Sequence, residues 1–169
     1  MCPNDPALIQ RYIMATVYFG FNGDHWSHCN RWGSSICDVE SNKTCYLSSS
    51  HECNWFGSTC DSNKFITGIN LEDMNLTGHF VPEMMYLSHL EILNLDGNKI
   101  MGKIDSHVGN LTKLKETDLD NNHLTGTIPE EMFKLANLSV LDLNDNYLSG
   151  TISSRIGEQR LYWNPPVKR

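Results

Sequence analysis

The chain has 169 residues, enough for one domain or for a cap followed by a short repeat array. Thirteen basic against 20 acidic residues leave a net charge of −7, which argues against nucleic acid, whose phosphates need a clustered basic surface. No apolar run approaches the roughly 18–20 residues needed to cross a bilayer, and Met1-Cys2-Pro3 opens without a secretory leader, so the chain is expected to be processed or part of a longer precursor.

Residues 1–63 read as a cap. Asp5-Pro6 is a good helix start, an N-cap acceptor followed by proline at the first helical position. Leu8, Ile9, Tyr12, Ile13 and Val17 then recur at helical spacing up to the Gly20–Gly23 breaker. This helix is expected to lay its apolar face over the open end of the following array.

All six cysteines lie in this cap, Cys2 at its start and the other five (Cys29, Cys37, Cys45, Cys53, Cys60) between residues 29 and 60, and so do three of the four tryptophans. An even number concentrated in a cap suggests disulfides and an oxidising compartment, extracellular or lumenal. A reduced cytoplasmic chain with buried thiols is the competing reading. Six cysteines allow 15 pairings. His25-x-x-His28-Cys29 with His51-x-Cys53 has some metal-ligand character, but disulfides compete for the same sulfurs, so neither metal nor cofactor is expected. Asn42 begins an N-x-[ST] sequon in the cysteine-rich insert and is a glycosylation candidate. Asn75, Asn110 and Asn137 also start sequons, which the repeat pattern itself tends to generate.

From residue 64 to 157 a 24-residue period holds without slipping. Ile66, Leu90, Leu114 and Leu138 form one column; Leu71, Leu95, Leu119 and Leu143 a second; Leu76, Ile100, Leu124 and Leu148 a third; Gly78, Gly102, Gly126 and Gly150 a fourth. A period of this size means a solenoid, each unit burying its apolar side on the next. Alternating side chains of a short strand point inward, and the strands stack as a parallel sheet about 4.8 Å apart. Asn98, Asn122 and Asn146 stand where an amide can satisfy buried backbone groups at the turn. The glycines permit a backbone conformation or a close coil-to-coil approach that a β-carbon would obstruct. Met84/Leu87, Val108/Leu111 and Met132/Leu135 continue the core on the outer side. Met74 departs from the asparagine column, Thr117 replaces a core leucine, and Gln159 breaks the outer column. Glu130-Glu131 after Pro129 reads as the acidic first turn of a helical segment.

These repeats, LxxLxLxxNxLxGxI in four copies, resemble the plant-type 24-residue subclass of the leucine-rich repeat family. Cys53-Asn54-Trp55-Phe56-Gly57-Ser58-Thr59-Cys60 resembles the C-x-W-x-G-V-x-C element of N-terminal caps in that family. The wider stretch, from Gln10-Arg11-Tyr12 through Asp24-His25-Trp26, is most similar to caps of algal, diatom-type repeat proteins. The resemblance implies a short right-handed α/β solenoid with a parallel concave sheet and a helical, disulfide-containing cap, with Cys53 paired to Cys60. Cys37–Cys45 and Cys2–Cys29 are assigned without its support.

The concave face is the usual recognition surface of such folds. Its outward columns are Asn70, Asn94, Asp118, Asp142, then Glu72, Asp96, Asp120, Asn144, with Asp73, Gly97, Asn121, Asp145 beside them and Gly68, Ile92, Glu116, Val140 on the other flank. Seven carboxylates in the first three columns suggest a docking strip for a basic peptide or protein patch, or a weak divalent-cation site; a solvated face is the bland alternative. The expected contact residues are Asn70, Glu72, Ile92, Asn94, Asp96, Asp118, Asp120, Val140, Asp142 and Asn144. No HExxH, G-x-S-x-G or phosphate-cradling loop is present.

A non-enzymatic module binding a protein or peptide is therefore expected. The alternatives are an accessory subunit of a larger, even membrane-associated, assembly and a fragment of a receptor ectodomain or enzyme inhibitor. The tail, residues 158–169, either folds Leu161, Tyr162 and Trp163 over the last coil or leaves that end to another protein.

Overall fold

A computed structural model describes residues 6–27, 36–38, 43–157 and 161–165. Helix α1 runs from Pro6 to Gly20, with proline at its first position. A hairpin of β1 (Ile36–Asp38) and β2 (Lys43–Thr44) leads to β3 (Ser58–Cys60). Each repeat then contributes a concave strand: β4 (Ile66–Asn70), β6 (Ile92–Asn94), β8 (Glu116–Asp118) and β10 (Val140–Asp142). Each also contributes a flank strand: β5 (Thr77–His79), β7 (Lys99–Gly102), β9 (His123–Thr127) and β11 (Tyr147–Ser149). The outer side is closed by 3₁₀ turns of three to five residues. Glu130-Glu131 thus precedes a single short turn, Met132–Lys134, rather than a longer helix.

The concave sheet has the order β12-β10-β8-β6-β4-β3, with β12 spanning Tyr162–Asn164, and is parallel except for β3. The cap strand β3 runs antiparallel to β4 and satisfies the N-terminal edge, with Ser58 opposite Ile69 and Thr59 opposite Gly68. At the other end the tail supplies β12 (Tyr162–Asn164), which pairs with β10 so that Val140 faces Tyr162 and Asp142 faces Asn164. Leu161 and Trp163 pack against the core, and the Trp163 ring meets Phe133 edge-on at 6.1 Å. Leu161 and Trp163 thus fold over the last coil as one of the two expectations had it, whereas Tyr162 is exposed.

Inside the coils Ile66, Leu71, Leu90, Leu95, Leu114, Leu119, Leu138 and Leu143 are all buried, as are Met84, Leu87, Val108, Leu111, Met132 and Leu135. The asparagine column works as a ladder. Asn122 Oδ1 accepts from the Ile100 N–H at 2.9 Å, while its Nδ2 donates to the carbonyls of Leu95, Leu119 and Asp120. Asn98 and Asn146 repeat the pattern on Leu76 and Leu124. The glycine column meets both of its expected demands. Gly126 has φ +81°, and a β-carbon there would lie 2.9 Å from Lys103 Cγ; Gly78 has φ +101° and abuts the Gly20 carbonyl.

Thr117 is fully buried at a leucine position, and its Oγ1 finds no hydrogen-bond partner among the described residues. A buried hydroxyl without a partner costs about 1–3 kcal/mol. Thr117→Val keeps the shape and removes that group. It is expected to raise the unfolding free energy by about 1 kcal/mol in urea denaturation, and a loss of stability would contradict this account.

The helix departs from its expected orientation. Ile13, Met14, Val17 and Tyr18 face the core, but Leu8, Ile9 and Tyr12 are exposed. The reason lies in the polar residue between them. Gln10 is buried, donating to Glu52 Oε1 (2.8 Å) and to the Lys64 carbonyl, and accepting from the Ile66 N–H. Its demand for partners turns the helix so that the Gln10–Val17 line, not the Leu8–Tyr12 line, meets the first coil. Arg11 beside it donates to the Ser48 and Ser50 carbonyls and lies over the Trp55 ring.

Candidate recognition surface

The expected concave columns form in register. Gly68, Ile92, Glu116 and Val140 are successive pairing partners, and so are Asn70, Asn94, Asp118 and Asp142. Strand β12 extends both, with Tyr162 and Asn164 as a fifth rung that sequence periodicity missed. Tyr162 stands 22 residues after Val140, whereas Val140 stands 24 after Glu116. That shortened step hides the strand from a fixed-period reading. The alternation of inward Trp163 with outward Tyr162 and Asn164 was the signal available.

The columns differ in what the backbone asks of them. In the first, each side-chain oxygen accepts from the N–H two residues on: Asn70 from Glu72 (3.2 Å), Asn94 from Asp96 (3.0 Å), Asp118 from Asp120 (3.1 Å) and Asp142 from Asn144 (3.0 Å). These are Asx turns that end each strand. The column therefore carries a structural role in addition to any contact. The third column, Asp73, Gly97, Asn121 and Asp145, has φ of 52°, 68°, 51° and 43°. Asp, Asn and Gly are the residues that tolerate this left-handed region, so backbone conformation accounts for that column.

The second column, Glu72, Asp96, Asp120 and Asn144, is the one that neither the Asx turns nor a left-handed backbone accounts for, although Asp120 Oδ1 accepts from the Asn121 N–H at 2.6 Å. Burial, then the neighbouring Asp118 and Asp120 carboxylates, push Asp96 up to about 6, and Glu72 adds to the rise. Burial first, with Asp142, Asp120 and Glu72 behind it, also raises Asp118. Bonds between rungs tie the strip together, Asn94 donating to Glu72 Oε2 (3.3 Å) and Asn164 to Asp142 Oδ2 (2.8 Å). At the N-terminal end a hollow of ≈ 270 Å³ opens beside Thr59, Asn70, Glu72 and Lys43. The Lys43 ammonium donates to the Cys53 and Ser58 carbonyls, and burial lowers its pKa.

In the cap, Cys53 and Cys60 form a disulfide. That bond occupies the sulfur a zinc reading would need, and His51 Nδ1 accepts from the Cys53 N–H. Among the described residues no group of three or more His, Cys, Asp or Glu side chains could hold a metal ion. Cys45 is also disulfide-bonded. Cys2, Cys29, His28 and Asn42 lie outside the described residues, as does the Cys37 side chain.

Residues 88–148 match the family model for the leucine rich repeat. Leucine-rich repeat protein 1 of Oryza sativa subsp. indica is 46% identical over 43 residues, which cover 25% of this chain and 20% of that protein. The BIR2 ectodomain from Arabidopsis thaliana superimposes with a TM-score of 0.69 at 25% identity, covering 90% of this chain and 75% of that one. The Arabidopsis receptor kinase HAESA ectodomain, solved with an IDA peptide hormone ligand, gives 0.71 at 26% identity, covering 92% of this chain and 24% of that one. Residues 88–148 thus carry leucine-rich repeats, and the described structure has the fold of leucine-rich-repeat ectodomains. The chain spans only a fifth of the length of the curated rice relative.

Proposed function

We propose that this chain is a non-enzymatic recognition module that binds an extended basic peptide or protein segment along the second concave column. The observation that carries the reading is the Asp96–Asp118–Asp120 cluster, set on adjacent rungs beside the Asx turns, where burial first and the neighbouring carboxylates second raise Asp96 to about 6. Carboxylates about 5 Å apart on adjacent rungs gain from a Lys or Arg placed between them. The similar HAESA ectodomain was solved with a peptide ligand, which supports the same use of this fold. The Cys53–Cys60 bond supports an extracellular or lumenal setting. The algal, diatom-type reading of the cap rests on its sequence, Gln10-Arg11-Tyr12 through Asp24-His25-Trp26.

The sign of the pH dependence follows from Asp96. A cation favours its ionised form, so association should tighten as pH rises through about 6. Folding runs the other way. A carboxyl raised in the folded state binds more protons there than in the unfolded chain, so stability falls between about pH 4 and 6.

The test measures a lysine-rich synthetic peptide binding to the wild type and to the Asp96→Asn/Asp120→Ser variant, which leaves the Asx turns of the first column in place. The variant should bind at least tenfold more weakly in low salt. Wild-type binding should also fade as salt shortens the screening length to ~8 Å and below. Equal affinities at low salt would remove the strip as the interface.

A further inference from the structure

We infer that the outer face of α1 pairs with the same face of a second copy of this chain, the two helices running antiparallel across a two-fold axis. Along this helix Leu8 (39% exposed), Tyr12 (64%) and Phe19 (60%) lie on one line with the partly exposed Ala15. Ile9 (44%) and Tyr86 (59%) stand beside them, at the rim of a hollow of ≈ 200 Å³ between α1 and the first coil.

The 4-3-4 spacing of residues 8, 12, 15 and 19 is that of a helix–helix seam. It is also self-complementary. Antiparallel pairing about the midpoint between Ile13 and Met14 sets Leu8 against Phe19 of the second copy, and Tyr12 against its Ala15. Each large ring therefore meets a smaller partner, and every contact occurs twice, as an isologous interface requires.

Charge also favours pairing at this face. The chain carries −7, yet Arg11 is the one charged residue in Pro6–Gly20, and its guanidinium is turned onto the Ser48 and Ser50 carbonyls. Along α1 itself two copies can meet without burying an unpaired charge. The five exposed side chains leave roughly 500 Å² of apolar surface per copy. Two copies would cover about 1,000 Å², the lower limit for a specific interface. The dimer is therefore weak, with a dissociation constant on the order of tens of micromolar. Added salt should strengthen it by screening the net repulsion, opposite to its effect on a basic peptide in the concave strip.

The test is sedimentation of the full chain, disulfides intact, from about 1 to 500 μM, with circular dichroism to confirm folding. The wild type should dimerise over this range, whereas Tyr12→Glu and Ala15→Lys should each raise the dissociation constant at least tenfold. Mixing those two variants should restore a heterodimer, because Glu at 12 of one copy then faces Lys at 15 of the other. A monomeric wild type, or a dimer that both variants leave intact, overturns the proposal. So does failure of the mixture to associate while each variant remains folded. Tyr12-dependent flotation of a monomer on phosphatidylcholine vesicles would overturn it too, assigning the face to a bilayer.

Discussion

Asn122→Ala is expected to cost about 3–4 kcal/mol of stability. The buried Ile100 N–H has Asn122 Oδ1 as its acceptor, so truncation leaves that donor orphaned. Asn122 Nδ2 also serves the Leu95, Leu119 and Asp120 carbonyls. Leu95 is shared with Asn98 and Leu119 with Asn146. The carbonyls are thus not wholly abandoned, and the loss is that of a ladder weakened in its middle. Asn122→Asp separates the donor role from the acceptor role. It keeps an oxygen for Ile100 but turns a second acceptor onto three carbonyls. It should destabilise at least as much as alanine at pH 7 and recover as pH falls and the carboxyl gains a proton, since the folded state then holds the proton more tightly than the unfolded chain. Urea denaturation at pH 7 and pH 4.5 reads both effects; a mild, pH-independent Asn122→Asp would sink the ladder account.

What the sequence made legible tracks how often a physical demand repeats. The inward leucines, the asparagines and the glycines each face the same environment once per coil, so a period of 24 exposes all of them. Demands met once leave no such mark. The Gln10–Glu52 bond joins residues 42 apart, and nothing in the neighbourhood of either announces the other. The helix face was misjudged for the same reason. Apolar spacing alone selects Leu8 and Tyr12 as readily as Ile13 and Val17, and only the partners of Gln10 decide between them. Strand β12 was hidden by its shortened step. Repetition also misleads, as the third concave column shows. Asp73, Asn121 and Asp145 recur as acidic or polar residues because each occupies a left-handed turn. Counting Asp73 and Asp145 among the seven carboxylates of a docking strip therefore credited to binding two residues that the turn accounts for. The second column was legible in the sequence as carboxylates recurring at one position, Glu72, Asp96 and Asp120.

Gln10→Ala should be comparably severe, about 3–5 kcal/mol, although it removes one neutral side chain at the end of the solenoid. Gln10 Oε1 is the acceptor for Ile66 N–H at the start of the first concave strand, and Nε2 bonds a Glu52 carboxylate that is almost wholly buried. After truncation the nearest cationic nitrogen to Glu52 is Arg11 Nη1 at 3.6 Å, on a side chain whose close hydrogen bonds go to the Ser48 and Ser50 carbonyls. A buried charge that loses its close partner costs more than the pair contributed while intact. Glu52→Ala alone should therefore be milder, because Gln10 keeps its bonds to Lys64 and Ile66, and Arg11 keeps both serine carbonyls. In the double variant the stranded carboxylate is absent, so its loss should fall short of the two single losses added together by 1 kcal/mol or more. Strict additivity would mean that the two side chains act independently. Hydrogen exchange should find the first strand, Ile66–Asn70, opening before the middle coils in Gln10→Ala, because the cap and β3 are what seal that edge of the sheet.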